Sequence, residues 1–403
     1  MDIKCFFTIV ICFFMFGCSN TYIEHAKLSE QPSGNKQVAQ NKALAEKHLN
    51  GALFKKIQVN DATVFSLSPK QTEEFNEFYN NPRYAHLPEQ KRFSEFLITR
   101  LANFTYDGQT FNAAEAFETM SGNCLSLAIL TTALANHAGL DIRYQRVDAR
   151  PIYEKHSNIL LLSTHVTTRV YGPQPDKEEG VIFTTRPYVT IDYFPSDGDV
   201  RGETLSHDDF LAMYHRNMAA QSLIEHDYDT SYAYIKKGLG YDADHSETFN
   251  LLAVLYNKAY RINDELKKNE ANHGQNAAMA LYNDLIEQNN TSLNAIENYA
   301  ALLKQTEQPA LAQKYMRKLE GVNDHNPYQW LRIANEHYEQ GDFRLAQKYA
   351  ERAVKHGPYL HEPQFLLAKV HFEMRQYGAS RRALLAAQEM SKSAEDERRY
   401  LAY

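Results

Sequence analysis

Cysteine is scarce in this chain of 403 residues: it occurs four times, at Cys5, Cys12, Cys18 and Cys124. So few cysteines give no disulfide framework that could staple a fold together. An excess of basic charge is missing as well. Forty-three Lys and Arg stand against 50 Asp and Glu, a net charge of −7, so the electrostatic footprint of a nucleic-acid-binding protein is absent and no nucleic acid is expected as a partner. There is no glycine-rich phosphate loop and no His/Cys cluster at metal-ligand spacing, so neither a cofactor nor a metal is expected. What is present is an ordinary globular composition, 43% hydrophobic and 23% charged, in a chain long enough for two or three domains.

An apolar run opens the chain. Lys4 is followed by "CFFTIVICFFMF" and then Gly17-Cys18-Ser19-Asn20, a positive start, an apolar core and a small residue before the cut, as in a secretory signal. The run is too short to span a bilayer as a stable helix. Its ending "MFGC" resembles the lipobox of bacterial lipoproteins; an ordinary cleaved signal is the alternative. The resemblance implies a signal peptide over residues 1–18, lipid on Cys18 and, with Ser19 next, attachment to the outer membrane facing the periplasm. From Ser29 to about Lys47 the chain is polar and small, so residues 19–50 are expected to form a tether. Cys124 is then the single thiol of the mature protein, with no intrachain partner for a disulfide. In an oxidising compartment such a thiol asks for a reason, either burial or catalysis.

Helical segments follow between Asp61 and Thr119. "SPKQTEEFNEFY" opens with Ser68 as a cap and Pro69 at the first helical position. "PEQKRFSEFLITRLANF" spaces Phe93, Phe96, Leu97, Leu101 and Phe104 along one face, and "TFNAAEAFETM" is a shorter third helix. After Cys124, Leu127, Leu130 and Leu134 form a stripe beside Ala128 and Ala135, predicting a mostly buried helix that stops at Gly139. The period then changes to two. "IRYQRV", "HVTTRVYG" and "YVTIDYF" are strand-like, the last two separated by the polar "PQPDKEEG". Helices followed by strands predict an α+β domain with an antiparallel sheet over residues 51–205.

Beyond about Glu203 a repeat takes over. Ala219 to Ala253, Ala300 to Ala334 and Ala334 to Ala368 are each steps of 34 residues, and the charged insert "RINDELKKNEANHGQ" lengthens the step between Ala253 and Ala300. A second helix keeps the same period at Ala312, Ala346 and Ser380, and again at Leu319, Ala353 and Ala387. Small residues are required there because two helices cross closely. The pattern resembles the tetratricopeptide repeat (TPR), best between Pro327 and Leu360 with Trp330, Ile333, Ala334, Gly341, Ala346, Ala353 and Pro358 at the motif positions. The resemblance implies an all-α TPR solenoid of about five units over residues 212–394, whose concave face docks a protein partner or an extended peptide.

Cys124 follows the turn Ser121-Gly122-Asn123 at the start of its helix. A thiolate there is stabilised by the helix N-terminus, bringing its pKa below the free value of about 8.5. Attack on a carbonyl also needs a base, usually His, and that His needs an acceptor to fix its tautomer. His165, Thr167 and Arg169 share one face of "HVTTRV", and Asp192 lies in the next strand, so His165 and Asp192 are expected side by side across the ladder. Plainer roles stay open residue by residue. Cys124 also fits a small core residue, His165 an ordinary strand histidine with His156 and His207 as spare candidates, and Asp192 a partner for Arg169 or Arg186.

The order of Cys at a helix start, His on a strand and Asp on the next resembles the transglutaminase-like (papain-like) superfamily. So do Gly122-Asn123-Cys124, the run Ala138-Gly139-Leu140-Asp141-Ile142-Arg143, and His165-Val166-Thr167 ahead of Val170. Thr167 departs from the aromatic residue usual in that family, and Tyr193 departs from the Pro, Thr or Ala that usually follows its Asp. The resemblance spans about Phe93 to Ser196. It implies Cys124 as nucleophile, His165 as general base and Asp192 as the group orienting it. The expectation is therefore an exported, lipid-anchored enzyme performing thiol-dependent acyl transfer on a peptide or protein substrate. Hydrolysis of a peptide or amide ranks ahead of cross-linking, because water is the default acceptor, and the TPR units would recruit a protein partner. The competing expectation is a catalytically inactive TPR scaffold or binding lipoprotein of the cell envelope.

Overall fold

The computed structural model describes residues 34–391, apart from 103, 107, 157–158, 174–185, 194–199, 242–245, 263–267 and 321–325. The expected signal segment, Cys18 as the expected lipidation site and most of the polar excursion after Gly172 lie outside the described residues. The front part runs α1 (Gly34–His48), α2 (Pro69–Tyr79), α3 (Glu89–Leu101), β1 (Thr105–Tyr106), α4 (Ala113–Thr119), β2 (Ser121–Gly122), α5 (Cys124–His137), β3 (Asp141–His156), β4 (Ile159–Tyr171), β5 (Tyr188–Ile191) and β6 (Val200–Leu205).

Local chemistry accounts for these elements. Pro69 opens α2, and Ser68 and Gln71 form a reciprocal capping box. Phe93, Phe96, Leu97, Leu101 and Phe104 are all buried. Every residue of α5 from Cys124 to Ala135 is buried, because a helix with apolar or small side chains on all sides belongs at the centre of a domain. It ends in a Schellman motif: Gly139 takes φ +70°, its N–H donates to the Asn136 carbonyl at 3.2 Å, and that of Leu140 donates to Ala135 at 2.9 Å.

One sheet has the strand order β5-β4-β3-β6. β4 and β5 are antiparallel with Thr168 opposite Ile191; β3 and β6 are antiparallel with Tyr144 opposite Leu205. β1 and β2 form a separate two-stranded parallel ladder. α5 packs on the large sheet through buried hydroxyls. Tyr193 donates to Thr131 at 2.8 Å and lies 2.7 Å from Thr168, and Thr132 reaches the Tyr144 hydroxyl at 3.2 Å. Burial pushes the Tyr193 hydroxyl well above the usual phenol range, so it stays neutral and hydrogen-bonded.

Helix pairs follow. They are α6 (His207–Ile224) with α7 (Tyr228–Tyr241), α8 (Ser246–Ile262) with α9 (Lys268–Glu287), α10 (Leu293–Gln305) with α11 (Pro309–Glu320), α12 (Pro327–Glu339) with α13 (Phe343–His356), and α14 (His361–Glu373) with α15 (Tyr377–Met390). Ala219, Ala253, Ala300, Ala334 and Ala368 sit one per pair in the first helix and are all fully buried, as are Ala312, Ala346, Ala353 and Ala387 in second helices. Two serines at the small position of the second helix repeat the same bond. Ser231 donates to the Ala219 carbonyl at 2.8 Å and Ser380 to that of Ala368 at 2.8 Å, each across 12 residues. The step from Ala253 to Ala300 is 47 residues, 13 more than the others. Part of that excess enters α9, which begins inside the charged insert and reaches 20 residues.

Two compact units are distinguished: Met1–Ala149 with His165–Arg317, and Arg150–Thr164 with Lys318–Tyr403. In the first, α6 does not stand apart from the α+β part. Phe210, Leu211, Met213 and Tyr214 join the core of Phe75, Leu130 and Val166, and Phe210 stacks on Tyr144 with ring centroids 4.0 Å apart. In the second, Trp330 stacks parallel to Tyr349 and carries the Arg352 guanidinium 3.6 Å above its ring.

The tether expected over residues 19–50 is corrected where it is described. Residues 34–48 form α1. Asn41, Leu44, Ala45 and His48 are buried, the i, i+3, i+4, i+7 stripe of a docked helix. Asn290 donates to the Asn41 side chain at 2.7 Å, and Lys47 and His48 meet Asp284 of α9 at 2.6 and 2.5 Å. Strong helix formers fill the segment, and half of its buried stripe is polar, which hides the period from a hydropathy reading. No helix among the described residues is long and apolar enough to cross a membrane.

Candidate functional site

Cys124 is the first residue of α5, 5% exposed and in no disulfide. The turn that delivers it is closely built. Gly122 takes φ +143°, and a Cβ there would lie 2.6 Å from the Ser126 Cβ, so only glycine fits. Asn123 caps the helix by accepting from the Ser126 N–H at 3.0 Å. Its own amide donates to the Thr110 hydroxyl at 2.7 Å and to the Gly108 carbonyl at 3.3 Å. Thr110 is itself held by α6: its N–H donates to the Gln221 side chain at 2.7 Å, and its hydroxyl accepts from Asn217 at 3.1 Å. Phe111 N–H donates to Ser126 at 2.9 Å. Sequence reading missed Thr110, Asn217 and Gln221; the signal available was the polar pair Asn217 and Gln221, one helical turn apart in a mostly buried helix.

His165 lies in β4 and its side chain is outside the described part of the structure. Asp192 follows β5, one step beyond the Thr168–Ile191 pair, and is half-buried. β4, which carries His165, and β5, which ends just before Asp192, are neighbours, and the helix that begins at Cys124 packs against them through Thr131, Tyr193 and Thr168. Of the other arginine partners considered for Asp192, Arg186 binds Asp141 at 2.6 Å and the Gly172 carbonyl at 2.6 Å. Arg169 donates to Gln145 and lies over the Tyr188 ring. His156 lies in β3, its side chain also outside the described part. His207 opens α6 and lines a shallow concavity with Asn136, Asp141, Arg143 and Tyr144.

A second titratable cluster sits where the loop before α2 meets α6 and α7. His215 is fully buried, with Nε2 2.9 Å from Asp61, off the line of a good hydrogen bond. Lys237 reaches the same carboxylate at 2.8 Å and the Tyr241 hydroxyl donates to it at 2.5 Å. Burial works to raise the Asp61 pKa, but the bonds from Lys237 and Tyr241 and the nearby positive charge bring it below the ordinary carboxylate value. Burial pushes His215 down to about 4, more than Asp61 restores. The bond to Asp61 moves Tyr241 up to about 12. Together these make Asp61 an ionised anchor beside a neutral imidazole. Among the described residues no three His, Cys, Asp or Glu side chains gather as metal ligands would.

One face of α12 lines a concavity of about 520 Å³ with Tyr328, Leu331, Arg332, Asn335, Glu336 and Glu339. Its mixture of an aromatic ring, an amide and both charge signs suits an extended polypeptide better than a small apolar ligand.

No family model matches the chain, and no curated protein matches it. Several solved structures are similar at low identity. PilW, a widely conserved type IV pilus biogenesis factor, is 21% identical over 46% of this chain and 81% of its own, with a TM-score of 0.32. YrrB, a TPR protein with an unusual peptide-binding site, is 12% identical over 46% of this chain and 88% of its own, with a TM-score of 0.27. In the APC/C hetero-tetramer Cut9-Hcn1 the match is 13% identical over 45% of this chain with a TM-score of 0.32, and it spans 33% of that chain.

Proposed function

We propose that this chain recruits a protein or peptide through TPR-type helix pairs and acts on it with a transglutaminase-like front domain. The observation that carries the reading is the setting of Cys124: it opens a buried helix packed against the sheet in which the strand of His165 neighbours the strand that Asp192 follows. The Cys124 sulfur attacks a peptide or amide carbonyl. His165 takes the thiol proton and returns it to the departing amine, while Asp192 holds the imidazole. Backbone N–H groups at the start of α5 stabilise the oxyanion. Water then attacks the thioester, releasing the acid and restoring the thiol. The α12 concavity supports polypeptide docking. The opening run and Cys18 support export and lipid anchoring in the envelope.

Alkylation by iodoacetamide across a pH series tests this. Cys124 should label faster at pH 7 than a free cysteine, and His165→Ala should slow that labelling roughly tenfold or more. An ordinary thiol indifferent to His165→Ala sinks the catalytic reading. A second reading, a silent front domain on a binding scaffold, is favoured by one feature: Cys124 is only 5% exposed, as a core cysteine would be.

A further inference from the structure

We propose that the first helix pair is built into the Cys124 turn and sets the environment of that cysteine, with Thr110 as the connecting residue and Asn217 and Gln221 as positioning residues. This rests on the reading of Cys124 as the nucleophile. The connection is made entirely of hydrogen bonds with defined partners. The Asn123 side chain works at both ends: its oxygen caps α5 at Ser126, and its amide is oriented by the Thr110 hydroxyl 2.7 Å away. Thr110 is 2% exposed, and its backbone N–H and hydroxyl are both gripped by α6, through Gln221 at 2.7 Å and Asn217 at 3.1 Å.

A threonine buried this deeply cannot exchange those partners for water, so the position of α6 sets the position of Thr110. Thr110 in turn sets the rotamer of Asn123. The cap on α5 governs how well the helix N-terminus stabilises charge on the first residue, which is Cys124. The first helix pair is therefore a component of the Cys124 site as well as the start of the repeat region. The bonds link residues 107 and 111 positions apart, so the device belongs to the assembled fold.

The test uses the full chain and two independent lesions, Thr110→Val and Gln221→Leu, each with a conservative rescue, Thr110→Ser and Gln221→Glu. The readout is the pH midpoint of Cys124 alkylation by iodoacetamide, taken at a temperature where thermal melts show each variant folded. Access of the reagent sets the maximal rate, whereas the midpoint reports thiolate stabilisation, to which cap and burial both contribute, so each variant is read against the wild type. Thr110→Val and Gln221→Leu should each raise the midpoint by about one pH unit, equivalent to roughly tenfold slower labelling at pH 7, and the rescues should return it toward wild type. If one lesion prevents folding, the other decides, since they lie on different elements. A low wild-type midpoint left unmoved by the lesions overturns the coupling and leaves the nucleophile standing. A wild-type midpoint at the ordinary thiol value overturns both.

Discussion

A methyl group at position 122 has nowhere to go. Gly122 combines φ +143° with a Cβ position 2.6 Å from the Ser126 Cβ and 3.2 Å from the Phe111 ring. Gly122→Ala should therefore cost more than about 2 kcal/mol by urea denaturation, since it adds backbone strain to a contact with a side chain fixed in the helix cap. A loss under about 0.5 kcal/mol would mean the turn is looser than its bonds imply. At this scale the sequence was informative where the signal is local. Ser68, Pro69 and Gly139 play the capping and stopping roles their residue types predict. Thr110 was not legible, because nothing within a few residues of it announces partners on α5 and α6.

Among the elements, α6 carries the most varied duties. It contributes to the core through Phe210, steadies the Cys124 turn through Asn217 and Gln221, and holds Asp61 beside His215. The last contact makes a pH prediction. The His215 pKa falls to about 4 in the folded chain, below its value of about 6.5 when unfolded. The unfolded state therefore binds more protons between these values, and stability is full above about pH 6.5 and declines toward pH 4, by at most about 1.4 kcal/mol per pH unit. The Asp61 carboxyl, also lowered, adds a loss only at still lower pH. The melting temperature should fall between pH 6.5 and 4, and His215→Gln should flatten that fall; equal slopes in the two proteins would rule out His215 as the cause. α5 was readable as a buried helix from the Leu127, Leu130 and Leu134 stripe beside Ala128 and Ala135. α1 and β6 were not: α1 buries Asn41 and His48 beside Leu44 and Ala45, and β6, "VRGETL", has Gly202 at its centre and no clean alternation.

For the molecule as a whole, the boundary drawn from composition near residues 205–212 does not separate two cores. Phe210, Leu211, Met213 and Tyr214 are buried with residues of α2, α5 and β4, at about 2 kcal/mol for each side chain so placed. A fragment from Asp61 to Ser206 should accordingly lack a cooperative thermal transition, whereas one from Asp61 to Tyr241 should keep one, as followed by circular dichroism. A sharp melt in the shorter fragment would show the front part to be self-sufficient. The repeat itself was legible from alanine spacing alone, because close helix crossings tolerate only small side chains whatever surrounds them.

The sequence by itself determined the helix pairs, the buried helix behind Cys124 and the shift to strands, since each follows from spacing and from residue types acting over a few positions. Tertiary structure decided which surfaces those elements share. The docking of α1 on α9, the service of α6 to two layers, and the hold of α6 on Thr110 depend on polar groups meeting across roughly a hundred residues or more. Hydrophobic pattern carries no record of such meetings, because an Asn or Thr that will be buried and satisfied looks the same in sequence as one left in water.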